Sequence, residues 1–352
     1  MRIAVLNNTK EGGAYRIAET QARLLRERGD EVCVWCPEVA WFSSNILVRL
    51  WHHALDGRPR RKVVGDILGW KPDILLSHNL TGCGFGTPEA IQRRGVKWAH
   101  VLHDVQLFEP SGQLVSAARV TCWQRAWSRI RRNALGQPDL VISPTRWLLN
   151  EHGRRGFFKQ TQTVVIPNPG PSVERHERMR HDPLRLLFVG RVADDKGTNI
   201  LAGLIHELGL PCELRVIGDG PEIDDLKALG PSVVCDGVQP ADGVRERMRE
   251  ADVLLVPSQI EENQPTVILE AASVGLPVIA ADKGGIPETL GEAGMVCKAN
   301  ELEPWKTAVL SLASDADRYA RVSASMFACA QEHDPSVHAD RLREALQSLG
   351  RF

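Results

Sequence analysis

The sequence predicts an α/β protein made of two doubly wound parallel sheets. Three observations lead there. Strand-like apolar runs alternate with amphipathic helical stretches through nearly all 352 residues, the pattern of parallel sheets joined by crossover helices. The alternation stops once, at the polar, Pro-bounded stretch "PGPSVERHERMRHDP" (169–183), which reads as a linker. Charge divides at the same place. Residues 1–170 hold 24 Lys and Arg against 14 Asp and Glu, or +10, and residues 171–352 hold 19 against 30, or −11. A chain of this length exceeds one ordinary core, so the expectation is a domain over 1–170, a linker over 171–183 and a second domain from 184 to about 330.

The elements follow in order. "RIAVLNN" is a first strand, and a helix runs from about Ala14 to Arg28, stopped by Gly29. "EVCVWC" is the next strand, then "DILLSHN", a helix near 87–94, "VKWAHVLHD", a basic amphipathic helix near 114–133, "DLVISPT", a short helix and "TVVIPNP". After the linker come "RLLFVGR", a helix at about 197–209, "ELRVIGDG", a helix near 221–229, "SVVCDGV", a helix near 241–250 and "DVLLVPS". The helix of "ENQPTVILEA", "PVIAAD" and "AGMVC" follow, and the rest from about Glu303 reads as helical.

Several function classes are excluded or disfavoured. No apolar run reaches the roughly 18 residues that cross a bilayer. The N-terminus turns polar at Asn7-Asn8, as a first strand does and a signal peptide does not. The expected place is therefore cytoplasmic, with peripheral attachment at the inner face of the membrane left open. Of the eight cysteines, Cys33 and Cys36 form a CxxC, but on a strand positions i and i+3 face opposite ways. With no second pair, zinc is not expected. The first-helix glycines, Gly12 and Gly13 in "NNTKEGGAYR", fit neither GxGxxG nor GxxxxGK[ST], which disfavours a nicotinamide cofactor and excludes a P-loop. Nothing suggests a nucleic-acid partner.

In doubly wound sheets ligands sit at the carboxyl ends of strands, and the chemistry-bearing residues fall there. Arg191 and Lys196 in "GRVADDKG" flank a strand-to-helix turn and suit a diphosphate, although Asp194 and Asp195 between them offer neutralisation within the loop. Gly12 and Gly13 permit close backbone approach or a plain turn. Gly218 ends the strand of "VIGDGP". His103 and Asp104 end another strand, where a histidine can meet a substrate hydroxyl or a loop carbonyl; His78 in "LLSHN" is a weaker case of the same kind. In "ENQPTVILEA", Pro265 fits the first helical turn, which places Glu262 in the loop and Glu270 inside an apolar helix, one turn beyond Thr266. A carboxylate there needs a partner. A ligand diol would serve Glu270, and the backbone N–H groups near Thr266 and Val267 would face an anion.

Together "GGAYR", "GRVADDKG", "VIGDGP" and "EENQPTVILEAASVGLPVIAADKGGIPE" resemble the retaining glycosyltransferases of the family 4 type. The E-x7-E spacing is the most specific element. The resemblance implies a GT-B fold: two Rossmann-like doubly wound domains with a cleft between them. It implies a nucleotide-sugar donor, held mainly by the C-terminal domain, and no separate cofactor; a UDP- or GDP-sugar is the leading expectation. By this resemblance Arg191 and Lys196 take the diphosphate and Glu270 the ribose hydroxyls. Glu262 lies against the transferred sugar with the following loop, Asn263, Gln264 and Pro265, and the helix start at Thr266 and Val267. Gly12, Gly13 and Gly218 line the donor, and His103 lies near the sugar. A C-terminal helix within 331–352 is expected to pack back on the N-terminal domain. Many relatives carry a Gly-Phe-Gly-like loop where this chain has Asn263-Gln264-Pro265, which bears on the donor sugar rather than on the fold.

The implied reaction is front-face transfer with retention and without a metal, Arg191 and Lys196 supplying the positive charge. The implied acceptor is a glycan, a lipid-linked molecule or a polysaccharide precursor. Two stretches mix Trp and Leu with Arg, "WFSSNILVRLWHHALDGRPRRK" (41–62) and "WQRAWSRIRR" (123–132). That composition suits an anionic membrane surface and equally a Trp-rich core with solvated arginines. Transfer to a small soluble acceptor and non-catalytic nucleotide-sugar binding are the alternatives.

Overall fold

The structure, a computed structural model, describes residues 1–8, 12–37, 56–117, 119–175 and 177–350. The chain divides into two compact units, Met1–Pro169 with Pro335–Phe352, and Gly170–Asp334.

The first unit holds a six-stranded parallel sheet of β1 (Arg2–Leu6), β2 (Glu31–Trp35), β3 (Ile74–Ser77), β4 (Lys97–Val101), β5 (Leu140–Ser143) and β6 (Gln162–Val165). Their spatial order is β2-β1-β3-β4-β5-β6. The central strands β3 and β5 are buried along their whole length, which explains why they read as unbroken apolar runs rather than alternating ones. One face of the sheet packs Ala4, Leu75, Trp98 and Val141 with Phe108, Phe157 and Phe158. The other packs Ile3, Val5, Ile74 and Ala99 against Ala18, Ala22 and Leu25 of the helix Gly12–Glu27.

The helix Pro335–Gln347 belongs to this first unit. Leu342 and Leu346 are fully buried in the second of those cores, each worth about 1.5–3 kcal/mol of burial. His338 donates through Nδ1 to the Pro167 carbonyl at 2.7 Å and meets Gln21 Nε2 through its other nitrogen at 3.0 Å. Arg28 pairs with Asp340 at 2.7 Å and Arg343 with Asp30 at 3.0 Å.

The basic helix expected near 114–133 runs instead over Cys122–Leu135. Thr121 sets its start: its hydroxyl accepts from Gln124 N at 3.1 Å, and the Gln124 side chain reaches back to Thr121 N at 3.4 Å. This reciprocal cap fixes the first turn, and Gly136, at φ 80°, ends the helix.

The second unit repeats the architecture with β7 (Leu184–Val189), β8 (Cys212–Ile217), β9 (Val233–Gly237), β10 (Val253–Val256), β11 (Val278–Ala281) and β12 (Met295–Cys297). All are parallel neighbours in the order β12-β11-β10-β7-β8-β9. The polar stretch 171–183 is fastened to this unit. Arg178 donates to the carbonyls of Val274 and Met248, both at 3.1 Å, and to that of Ala251. Glu174 pairs with Arg245 and Arg249, and His181 Nδ1 lies 2.8 Å from the fully buried Asp252. A guanidinium suits the carbonyls at a helix end, so the charge of a stretch that reads as a linker serves as attachment.

Candidate active site

Each sheet has one place where its strand order reverses, and the crevice above the carboxyl ends there is where such sheets bind ligands. In the second unit that place lies between β7 and β10. The chain leaves β7 through Gly190 and Arg191 and makes a short 3-10 turn, Asp194–Lys196. It then enters the helix Thr198–Glu207 through Gly197 at φ 81°, ψ 36°. A Cβ at Gly197 would stand 1.9 Å from the Pro257 carbonyl oxygen, so only glycine lets this turn lie against the end of β10. Gly218 has the same origin: a Cβ there would stand 1.9 Å from the Gly190 carbonyl oxygen.

This packing brings Lys196 to Glu262. Their side chains form an ion pair and are 25% and 21% exposed. Ser258 also donates to Glu262, at 2.9 Å. Arg191 bonds both carboxylate oxygens of Asp195 at 2.6 and 2.5 Å, so the aspartate between the two cations engages one of them. The glycine pair after β11 completes the loop. Gly285 N donates to the Glu262 carbonyl at 2.7 Å and Gly284 N to Glu261 Oε2 at 2.6 Å. Gly284 has φ 61°, and a Cβ on it would fall 1.9 Å from the Glu262 carbonyl oxygen. Glu262 is therefore held between two glycine-dependent approaches, at Gly197 and at Gly284.

The helix Thr266–Ser273 starts directly after this loop, and no side chain among the described residues caps it. Pro265 sits immediately before the helix, at φ −62°, rather than inside its first turn. The N–H groups of Thr266 and Val267 belong to the first turn, which has no intrahelical acceptors for them. Ile268, Leu269, Ala271 and Ala272 are buried in the core. Glu270 is only half-buried, so the apolar face does not trap its carboxylate as the sequence suggested. Asn263 is half-buried too, whereas Gln264 is 8% exposed and turns to His333, its Nε2 3.5 Å from the imidazole Nε2.

In the first unit the order reverses between β1 and β3. Asn7 and His78, both fully buried, follow those strands, and Asn79 N donates to Asn7 Oδ1 at 3.3 Å. His78 Nδ1 lies 2.8 Å from His103 Nε2, the rings stacked with centroids 5.1 Å apart. A pocket here is lined by His78, Asn79, Thr81, His103, Asp104 and Gln106, among others. Burial pushes His103 down to about 4 and Asp104 up to about 6, and burial together with His103 and His100 holds His78 well below the usual imidazole range. Gly12 begins the helix Gly12–Glu27, and a Cβ on Gly13 would meet open space among the described residues. Residues 9–11 of "NNTKEGG" lie outside the described residues, as does 41–55 of the first Trp- and Arg-rich stretch.

The structure thus joins Lys196 to Glu262 and His103 to His78. It adds Ser258 and His333, which the sequence reading did not single out. Ser258 closes "LLVPS" at a strand end, and that was the available signal.

Two Rossmann-like units with loaded carboxyl edges are the architecture of GT-B glycosyltransferases, and the comparisons agree. The family model described as "Glycosyl transferases group 1" matches residues 183–315, and "Glycosyltransferase Family 4" matches residues 11–169. Between them they take in most of the chain, and the chain belongs to the family 4 type of glycosyltransferases. It is 28% identical over 273 residues to the GDP-mannose-dependent alpha-mannosyltransferase of Mycobacterium tuberculosis, covering 75% of this chain and 70% of that one. It is 27% identical over 190 residues to the amylovoran biosynthesis glycosyltransferase AmsK of Erwinia amylovora, covering 48% and 46%. The first four curated relatives are matched over 26% to 60% of their own length. The fold superposes on Anabaena HepE, solved in complex with UDP and glucose, with a TM-score of 0.71 over 99% of this chain and 100% of that one, at 18% identity.

Proposed function

We propose that the protein is a retaining glycosyltransferase that moves a sugar from a nucleotide-sugar donor, with UDP- and GDP-sugars the leading candidates, to a hydroxyl of a glycan, lipid-linked or polysaccharide-precursor acceptor. The observation that carries this reading is the Lys196–Glu262 pair at the switch point of the second sheet, seated between Gly197 and Gly284. In the proposed reaction Lys196 and Arg191 take the diphosphate, and the uncapped start of Thr266–Ser273 adds N–H donors to it. Glu270 accepts from the ribose hydroxyls. Glu262 and Asn263 face the transferred sugar, with Gln264 and Pro265 shaping the loop between them and the helix. His103, Gly12 and Gly13 serve the donor from the first unit.

The bond between the anomeric carbon and the diphosphate oxygen breaks as the acceptor oxygen attacks the same face. The acceptor proton passes to the departing diphosphate, and the cations stabilise the charge that develops there. No divalent metal enters this scheme. The name of the amylovoran biosynthesis relative supports the acceptor class, and that of the GDP-mannose-dependent relative bears on the donor. A thermal-shift panel of UDP-, GDP-, ADP- and TDP-sugars, followed by turnover of the stabilising ones, tests the reading; stabilisation by none of them overturns it.

The proposed setting is the cytoplasmic side of a membrane. No helix among the described residues is long and apolar enough to cross one. Trp123 and Ile130 are 58% and 59% exposed on the helix Cys122–Leu135, which carries four arginines and no acidic residue, while Trp127 and Arg131 of the same helix are buried. The exposed Trp123 and Ile130 support the membrane reading of 123–132, and the buried Trp127 and Arg131 support the core reading. Sedimentation with anionic vesicles tests attachment; wild-type protein that stays in the supernatant contradicts it.

A further inference from the structure

We infer that His78 is a positioning residue that holds His103 in the tautomer protonated at Nδ1, so that His103 meets its substrate as a hydrogen-bond donor and not as a base. The inference rests on the proposed reading in one respect only, that His103 works on the sugar.

The geometry fixes the direction of the bond. His78 Nδ1 and His103 Nε2 are 2.8 Å apart, so one of these nitrogens carries the proton between them and the other accepts it. The second nitrogen of His78, Nε2, is fully buried and has no hydrogen-bond partner among the described residues. If His103 donated, the neutral His78 would carry its proton on Nε2, as a buried donor bonded to nothing. Orphaned buried N–H groups are rarer than under-used acceptors. With the proton on His78 Nδ1, His78 donates, Nε2 is a bare lone pair, and His103 Nε2 accepts. A neutral imidazole holds one proton, so that of His103 sits on Nδ1. Whatever His103 bonds through that atom, it bonds by donating. Burial keeps both rings neutral over the working range. Among the described residues, the titratable groups that line the pocket with the pair are His100, whose Nδ1 is engaged by Ser77 at 2.8 Å, and Asp104, whose Oδ1 accepts from Gln106 N at 2.8 Å.

The test is the nitrogen NMR signature of His103 in the full chain, in wild type, His78→Asn and His78→Leu. The Asn side-chain amide sits near the place of the imidazole Nδ1 and donates as it does; Leu offers no donor. The expected result is a protonated Nδ1 and bare Nε2 on His103 in wild type and His78→Asn, shifting toward a protonated Nε2 in His78→Leu. Turnover of whichever of UDP-glucose and GDP-mannose serves as donor should fall roughly tenfold in kcat for Leu, with Asn restoring it. A wild-type His103 protonated at Nε2 overturns the inference, as does an unchanged tautomer in His78→Leu. His103→Ala separates the two layers: unchanged turnover removes His103 from the sugar, while the tautomer spectra still decide the role of His78.

Discussion

Replacing Lys196 by alanine removes the cation that the turn Asp194–Lys196 holds against Glu262. In the structure that ammonium is engaged by the carboxylate. A diphosphate must compete for it, and Ser258, 2.9 Å from Glu262, leaves the carboxylate a donor when Lys196 turns away. A charge-assisted hydrogen bond contributes about 1.5–3 kcal/mol, and neither side chain is more than a quarter exposed, so screening removes only part of this. Lys196→Ala should therefore weaken UDP or GDP by roughly 10- to 100-fold. Glu262→Gln removes the competitor and leaves Lys196 in place. It should leave nucleoside-diphosphate affinity unchanged or tighter while turnover of the sugar donor falls. Titration calorimetry with UDP and GDP on both variants reads the two effects. Equal affinity of Lys196→Ala and wild type refutes the phosphate role, and a Glu262→Gln loss as large as that of Lys196→Ala refutes the competition.

Other expectations follow from the same geometry. Glu270→Ala should weaken a ribonucleoside diphosphate far more than its dideoxy analogue, since only the former offers the diol; equal losses in titration refute the ribose contact. Gly284→Ala places a Cβ in a left-handed backbone 1.9 Å from the Glu262 carbonyl oxygen. Conformational penalty and overlap together cost about 2–4 kcal/mol, visible as a melting temperature several degrees lower and a raised donor KM; an unchanged melt and KM contradict the packing. Burial holds His100 down to about 3 and His152 to about 4. Between pH 6.5 and about 4 the unfolded chain binds protons that the folded one refuses, so stability is lost as pH falls through this window, by on the order of 3 kcal/mol per imidazole. Asp104, raised to about 6, works in the opposite sense. Urea midpoints that do not fall from pH 7 to pH 5, or that His152→Phe does not flatten, contradict this.

The sheets were legible because parallel strands buried on both faces leave apolar runs that few other structures produce, as in "DVLLVPS" and "PVIAAD". The site was legible where chemistry is local. "GRVADDKG" and "ENQPTVILEA" each announce a strand-to-helix junction with charge at its edge. What the sequence did not reveal is long-range. Whether Asp195 or Glu262 would take Lys196 depends on Gly197 packing under Pro257, 60 residues on. The start of the helix at Cys122 turned on a cap at Thr121 within a basic stretch that looked helical earlier. His78 looked like a weak solitary histidine because its partner, His103, is a strand away. Arg178 and Glu174 read as part of a linker, since their carbonyl and guanidinium partners lie some 70 residues further along the chain.

The central claim is transfer of a sugar from a nucleotide donor through the Lys196–Glu262 junction with its anomeric configuration kept. It is tested most directly by following the donor and its product by proton NMR, beginning from an α-linked UDP- or GDP-sugar that the protein turns over. The account predicts a newly formed α-linkage from the first turnovers, with nucleoside diphosphate released in step and both signals suppressed in Lys196→Ala. A β-configured first product, or turnover that Lys196→Ala leaves intact, would contradict it.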